Sequence, residues 1–369
     1  MSKTFKRSTK VKAAAALVAV TTMIGLSTPA QAGVTLTGSG STAIKNLLDV
    51  CIPAYASDFT NNVSYGGGGS GAGRSAFTAG TVDLAFSDAT YGSSESKPAA
   101  FAYVPATQFP LAVMAKVTGF KGTLRLSPAT IAKIYQGKIT KWNDAAIVAD
   151  NTVVDPKTKK KTVAKLPATA VTVWYRSDKS GSTGIFTGWM AATAPTAWAA
   201  PAKADQTFTT AFGGTVPAGT FQGASGSDGV ANGVASKDGS IGYAETSYGT
   251  ERAKNGVIIA SVGNNAGEFL QPNSAATAKF MNGFTAGTNG AISVDYASKT
   301  KGAYTLSGYT YALVYTKDAQ KNVATQAIVK QFLIYLVGDC ASANAAKLGY
   351  APLTGSLLTL AKAQIEKVD

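Results

Sequence analysis

At least three times the sequence repeats one local order: a short strand, a loop dense in glycine and hydroxyl residues, then apolar residues at helical spacing. Residues 34–37 read as a strand, Gly38, Ser39, Gly40 and Ser41 as a turn, and Ile44, Leu47, Leu48 and Cys51 as the inner face of a helix that Pro53 ends or bends. Residues 62–65 form a second strand, followed by a glycine-rich loop over 66–73 and a short helix reaching Phe77. Residues 171–175 alternate as a strand and run into Arg176, Ser177, Asp178, Lys179, Ser180, Gly181 and Ser182, behind which Ile185, Phe186, Trp189 and Met190 mark another helix. A chain with this alternation is confined to the α/β class, in which helix N-termini point at the carboxyl edge of a sheet.

Two further elements stand out. Residues 84–87 read as a buried-type strand that ends at Asp88, and Ser127 followed by Pro128 has the capping and first-turn chemistry of a helix start, with Ile131, Ile134 and Tyr135 as its stripe. No tandem repeat and no long disordered tract interrupts the pattern.

The N-terminus carries Lys3, Lys6, Arg7, Lys10 and Lys12, an apolar run over 13–26, and the small-residue tripeptide Ala30, Gln31, Ala32. This is the pattern of a secretory signal peptide, residues 1–32, cleaved before Gly33. The run is shorter than the roughly 20 residues a bilayer span needs. No cysteine follows the cleavage site, so no lipid anchor is expected, and a Gram-negative periplasm fits better than a Gram-positive surface; export beyond the cell stays open. No later segment is apolar enough to span a membrane, and the mature chain is expected to be soluble. Removing 32 of 369 residues leaves 337, too many for one ordinary core, and two domains are expected. The five basic residues of the signal go with it, so the formal charge falls from +14 to +9. Such a field speeds the encounter with a small anion without naming it. Nucleic acid is a poor partner for it, because the one dense basic run, residues 157–161, reads as a solvated loop.

Cys51 and Cys340 are the only cysteines. In an oxidising compartment a bridge between them is favoured over two buried thiols. With no histidine and only two unclustered cysteines no tetrahedral zinc cage is expected, and without histidine Ser-His-Asp or Cys-His catalysis is excluded.

What remains is anion chemistry. The loops at 38–42, 66–73 and 180–183 offer backbone amides that glycine lets a ligand approach, hydroxyl donors, and the uncapped N–H groups of helix starts. Arg176 can grip two oxygens of a tetrahedral oxyanion with its planar fork, and Asp178 can hold that fork in place. Asp88 repels an anion unless the ligand carries a proton to donate to it; otherwise it caps a turn. Unshared charges about 3 Å apart at an effective dielectric of about 20 repel by roughly 5 kcal/mol, enough to reject a fully ionised oxyanion.

These stretches resemble, in order and spacing, the phosphate-binding receptors of bacterial phosphate importers. The matching segments are residues 37–42, 65–70, 81–88, 131–144 (IAKIYQGKITKWND), 176–182, 227–230, 241–243 and 349–353, covering nearly all of the mature chain. The resemblance implies two α/β lobes joined by two crossing strands, with the ligand in the cleft: lobe one at 33–109 and 306–369, lobe two at 110–305. It implies phosphate contacts from Thr42, Ala43, Ser70, Asp88, Arg176, Ser180, Gly181 and Ser182, with Asp178 supporting Arg176. It also implies a membrane permease of an ABC transporter as partner, arsenate as a competing analogue, a monomer, no cofactor, no metal and no catalysis. Three positions depart from the family pattern: Ala43 stands where an aromatic residue is common, Ser182 replaces a frequent threonine, and Pro53 falls within a stretch that is helical in relatives. Trp142, Ile134 and Tyr135 read as packing. A secreted phosphatase and an extracellular adhesin or matrix protein on the same fold are the alternatives.

Overall fold

The structure is a computed structural model that describes residues 33–287 and 289–368. The signal segment and cleavage site read from residues 1–32 lie outside the described residues.

All three strand–loop–helix units form. Strand β1 (Thr35–Gly40) leads to helix α1 (Lys45–Asp58), β2 (Asn62–Gly67) to α2 (Ser70–Thr78), and β3 (Leu84–Ser87) ends at Asp88. After the long β4 (Phe101–Lys116), β5 (Thr172–Arg176) leads to α3 (Gly181–Thr193), β6 (Phe221–Ala224) to α4 (Gly226–Ser236), and β7 (Ser240–Glu245) to the short helix Thr246–Glu251. Strand β8 (Ser307–Tyr315) and helix α5 (Val323–Tyr335) follow. The helix Pro128–Tyr135 starts as read, with the Ser127 side chain accepting from the Thr130 amide.

Two local expectations are corrected. Gly38, Ser39 and Gly40 are strand, not turn, because β1 is flanked by parallel partners on both sides: Gly40 pairs with Gly67 of β2 and with Phe86 of β3. Ladder bonds on both edges hold glycine in an extended run that local propensity disfavours. Pro53 neither ends nor shortens α1, which continues to Asp58. The inner face of that helix, Leu47, Leu48, Cys51 and Tyr55, is buried on both sides of the proline, and this packing outweighs the one backbone bond a proline removes.

The main sheet runs β2-β1-β3-β8-β4-β7-β5-β6, with Ile258–Ile259 added beside β4. Strands β2, β1 and β3 are parallel, as are β7, β5 and β6. Between these half-sheets lie β8 and β4, antiparallel to each other and to their neighbours. Strand β4 pairs with β8 through Pro110 and with β7 from Leu111 onward, so one strand serves both halves. The carboxyl ends of both parallel half-sheets carry the loops singled out by the sequence.

The described residues cluster as a unit. Trp142, Ile134 and Tyr135 are fully buried, and the Trp142 indole donates to the Gly239 carbonyl at 2.9 Å. Cys51 and Cys340 form a disulfide across 289 residues, tying α1 to the segment after α5. The basic run is exposed at the tip between the paired strands Thr152–Val154 and Lys161–Val163. Among the described residues, no helix is long and apolar enough to cross a membrane.

Candidate anion-binding site

Six strand ends deliver polar residues to one region. Ser41, Thr42 and Ala43 follow β1, Ser70 opens α2, Asp88 follows β3, Arg176 ends β5, Ser227 follows β6 and Glu245 ends β7. A buried polar side chain needs partners, and these residues find them in one another.

Asp88 is the centre of the first half. Its carboxylate accepts from Ser41 Oγ at 2.7 Å, from Thr310 Oγ1 of β8 at 2.7 Å and from Ser70 Oγ at 3.2 Å, while its amide donates to Ser70 Oγ at 3.1 Å. Burial, with Glu245 adding to it, pushes the Asp88 carboxyl up to about 6, despite the hydroxyls of Ser41 and Thr310 and the charge of Arg176 acting the other way. Such a carboxyl is poised to share a proton near neutral pH.

Arg176 is the centre of the second half and is 2% exposed. Its Nε and Nη2 grip the Asp178 carboxylate at 2.8 and 2.5 Å, the two-pronged geometry that fixes a guanidinium plane. Asp178 also accepts from the Gly226 amide at 3.0 Å. Its carboxyl is held below the usual range: burial opposes this, and the bonds and charge of Arg176 overcome it. Burial likewise works against the Arg176 charge, and Asp178 and Glu245 more than restore it. Arg176 Nη1 is left to reach Ser227 Oγ at 3.2 Å, and Ser227 shares a 3.1 Å hydroxyl contact with Thr42.

The two halves meet directly. Gly181 sits so close to Asp88 and Ser70 that a side chain would not fit between them, and the Gly71 amide donates to the Lys179 carbonyl at 3.0 Å. Gly69 precedes α2 at φ 90°, where a Cβ would collide with the Asp178 carboxylate. Helices α1, α2 and α4 begin without a capping bond from the side chain that precedes them, and several of their first amides are already bonded: Gly71 to the Lys179 carbonyl, Gly226 to Asp178 and Ser227 to Thr42 Oγ1. Helix α3 is capped by Ser180, whose Oγ accepts from the Thr183 amide at 3.2 Å and so keeps its own hydrogen to donate. Beside this cluster, a cavity of about 580 Å³ reaches Asp88 and Gly181 from the side of Tyr309 and Tyr311.

Thr42, Ser70, Asp88, Arg176, Asp178, Gly181 and Ser182 are thus linked by contacts or charge, with Ala43 bonded to Ser41 Oγ at 2.9 Å. Sequence reasoning assigned no role to Ser41, Ser227, Glu245 and Thr310. Ser227 carried a signal, since it follows Gly226 behind a strand as in the other loops. Thr310 carried none, lying in the middle of a fully buried strand.

A family model described as a PBP superfamily domain matches residues 27–339. The phosphate-binding protein PstS 3 of Mycobacterium leprae is 31% identical over 336 residues, covering 87% of this chain and 84% of that protein. The phosphate-binding protein PstS of Pasteurella multocida is 30% identical over 368 residues, covering 96% and 95%. The crystal structure of the phosphate-binding protein of Stenotrophomonas maltophilia superposes with a TM-score of 0.64 at 21% identity, covering 89% of this chain and 93% of that one, which shows a shared fold. On this match in sequence and architecture, the chain belongs to the phosphate-binding proteins of the PBP superfamily, the substrate-binding proteins of phosphate ABC transporters.

Proposed function

We propose that this protein captures inorganic phosphate in the periplasm and delivers it to the membrane permease of an ABC importer. The observation that carries the reading is the meeting of one proton-accepting carboxylate, Asp88, with one braced guanidinium, Arg176, amid neutral donors. The family membership supports it independently.

In this reading a protonated phosphate donates its P–OH hydrogen to Asp88. Arg176 Nη1 exchanges its 3.2 Å bond to Ser227 for a shorter, charge-assisted bond to a phosphate oxygen. Thr42, Ser70 and Ser180 supply hydroxyls; Thr42, Ala43, Ser70, Gly181 and Ser182 supply amides at or near the helix starts, the Ser182 hydroxyl staying on Glu245. Dispersed dipoles and one guanidinium hold the ion, so a chelator leaves binding intact. Sulfate, with no hydrogen for Asp88, is rejected by unshared charge, and arsenate competes because it is alike in shape and protonation.

The change of partners along β4, from β8 to β7 at Pro110 and Leu111, supports a hinge there, with residues 33–109 and 306–369 as one lobe and 110–305 as the other. Closure of the two lobes would bury the anion, and the protein works as a monomeric carrier without a cofactor.

Calorimetric titration of dialysed protein with phosphate, then sulfate, tests the reading. Micromolar or tighter binding of phosphate with none of sulfate is expected, corresponding to at least about 8 kcal/mol; equal affinity for both, or for neither, rejects it.

A further inference from the structure

Glu245 ends β7 within the same cluster, and the phosphate chemistry just described leaves it unused. It is 1% exposed. Its Oε1 accepts the Ser182 hydroxyl at 2.7 Å, while its Oε2 has no hydrogen-bond partner among the described residues. A buried carboxylate oxygen without a donor is costly, so an orphan of this kind within a polar cluster points to a group that arrives from outside the chain.

The neighbours account for why no protein donor reaches it. The charge of Glu245 acts on Asp88 at the end of β3, on Arg176 at the end of β5, on Tyr248 of the helix Thr246–Glu251, and on Tyr350. Tyr248 and Tyr350 give their hydroxyl hydrogens to the carbonyls of Thr42 and Ala43, at 2.8 and 2.6 Å. Arg176 is committed to Asp178 and Ser227. Ser182 has spent its only hydrogen on Oε1. Three carboxylates, Asp88, Asp178 and Glu245, therefore share this region with one guanidinium. An excess of acidic groups in an anion site favours a ligand that brings hydrogens and carries the smaller charge.

We propose that Glu245 is a second acidic acceptor of the cleft: Ser182 fixes its Oε1, and its Oε2 receives a hydrogen from a second hydroxyl of the bound oxyanion, so that the site selects the doubly protonated monoanion over the singly protonated dianion. This rests on the phosphate reading above. Seating dihydrogen phosphate gives one hydrogen to Asp88 and one to Glu245 and leaves two ionised oxygens for Arg176 and the neutral donors. No bond is made or broken; when the dianion is the solution form, one proton is taken from the buffer on binding.

The test is phosphate titration from pH 5.5 to 8.5 with the wild type and Glu245→Gln, whose amide keeps an acceptor for Ser182 and removes the negative charge. Above the second ionisation of phosphate, wild-type affinity for total phosphate is expected to fall about tenfold per pH unit. The variant is expected to follow a shallower slope that crosses the wild-type profile, binding more weakly near pH 5.5, where the second hydrogen has lost its acceptor, and more tightly at pH 8.5, where the dianion no longer meets the extra charge. Superimposable profiles overturn the proposal. Should Glu245→Gln not fold, calorimetry of the wild type at pH 8 in two buffers of different ionisation enthalpy decides: uptake of one proton per phosphate supports it, no uptake overturns it. A wild type that binds no phosphate at any pH would instead strike the underlying phosphate reading.

Discussion

Gly181 and Asp88 are packed so closely that a Cβ on Gly181 would stand 2.6 Å from the Asp88 Cβ and 2.7 Å from Ser70 Oγ. The first turn of α3 can reach β3 only because position 181 has no side chain. Gly181→Ala must push these elements apart, and overpacking of this kind costs about 1–3 kcal/mol. Phosphate affinity is therefore expected to fall roughly 10- to 100-fold in calorimetric titration, while thermal unfolding in the absence of phosphate changes much less. An unaltered affinity would remove the contact from the binding mechanism.

The raised carboxyl of Asp88 gives a stability prediction with a definite sign. Its folded value of about 6 lies above the ordinary carboxyl value of 3.8, so the native chain holds this proton over a range where the unfolded chain has released it. The contribution is complete below about pH 4 and is lost as pH rises through 6, amounting to roughly 3 kcal/mol. Asp88→Asn does not titrate, so its stability relative to wild type, measured by denaturant unfolding, is expected to rise by about 2–3 kcal/mol between pH 4 and pH 8. The same variant should admit sulfate, and continued indifference to sulfate at high concentration would refute proton sensing by Asp88.

The residues that could be read from the sequence are those whose role is set within a few positions. Asp88 ends an apolar run, Ser180 precedes a helix, and Asp178 stands two residues from Arg176, so each declares its chemistry locally. Thr310 and Glu245 do not. Thr310 reaches Asp88 across 222 positions because β8 pairs antiparallel with β3, and Glu245 ends a strand whose every residue is buried. Their polarity has meaning only once the sheet order is known. Pro53 shows the reverse case: a strong local signal was overruled by the buried face of α1. The glycines of β1 were misread for the same reason, since two flanking strands outweigh the turn preference of Gly38 and Gly40.

Arg176 does two jobs with one plane: Nε and Nη2 hold Asp178, and Nη1, now on Ser227 Oγ, is the group that meets the anion in the proposed binding mode. Lysine keeps the charge and loses the fork, so it can face Asp178 or the anion but not both. Losing one charge-assisted bond of about 1.5–3 kcal/mol predicts a roughly 10- to 100-fold weaker phosphate affinity for Arg176→Lys. Arg176→Ala should be worse still, because it also leaves Asp178 partly buried without its counter-ion. Equal affinities of Arg176→Lys and wild type would show that the braced fork is irrelevant to binding.

The disulfide is placed to support the fold without shaping the site. Cys51 lies in the second turn of α1 and is joined to Cys340, but the start of that helix is held separately, by the Tyr350 hydroxyl on the Ala43 carbonyl and the Tyr248 hydroxyl on the Thr42 carbonyl. A cross-link closing so long a loop contributes on the order of 3–5 kcal/mol, chiefly by restricting the unfolded chain. Cys51→Ala with Cys340→Ala is thus expected to lower unfolding stability by about that amount while leaving phosphate affinity within about threefold, a change of less than 1 kcal/mol. Alkylation of the native protein without reductant, read by intact mass, checks that the bridge is present. A large loss of affinity in the folded double variant would show that the bridge, rather than the tyrosine bonds, sets the position of Thr42 and Ala43.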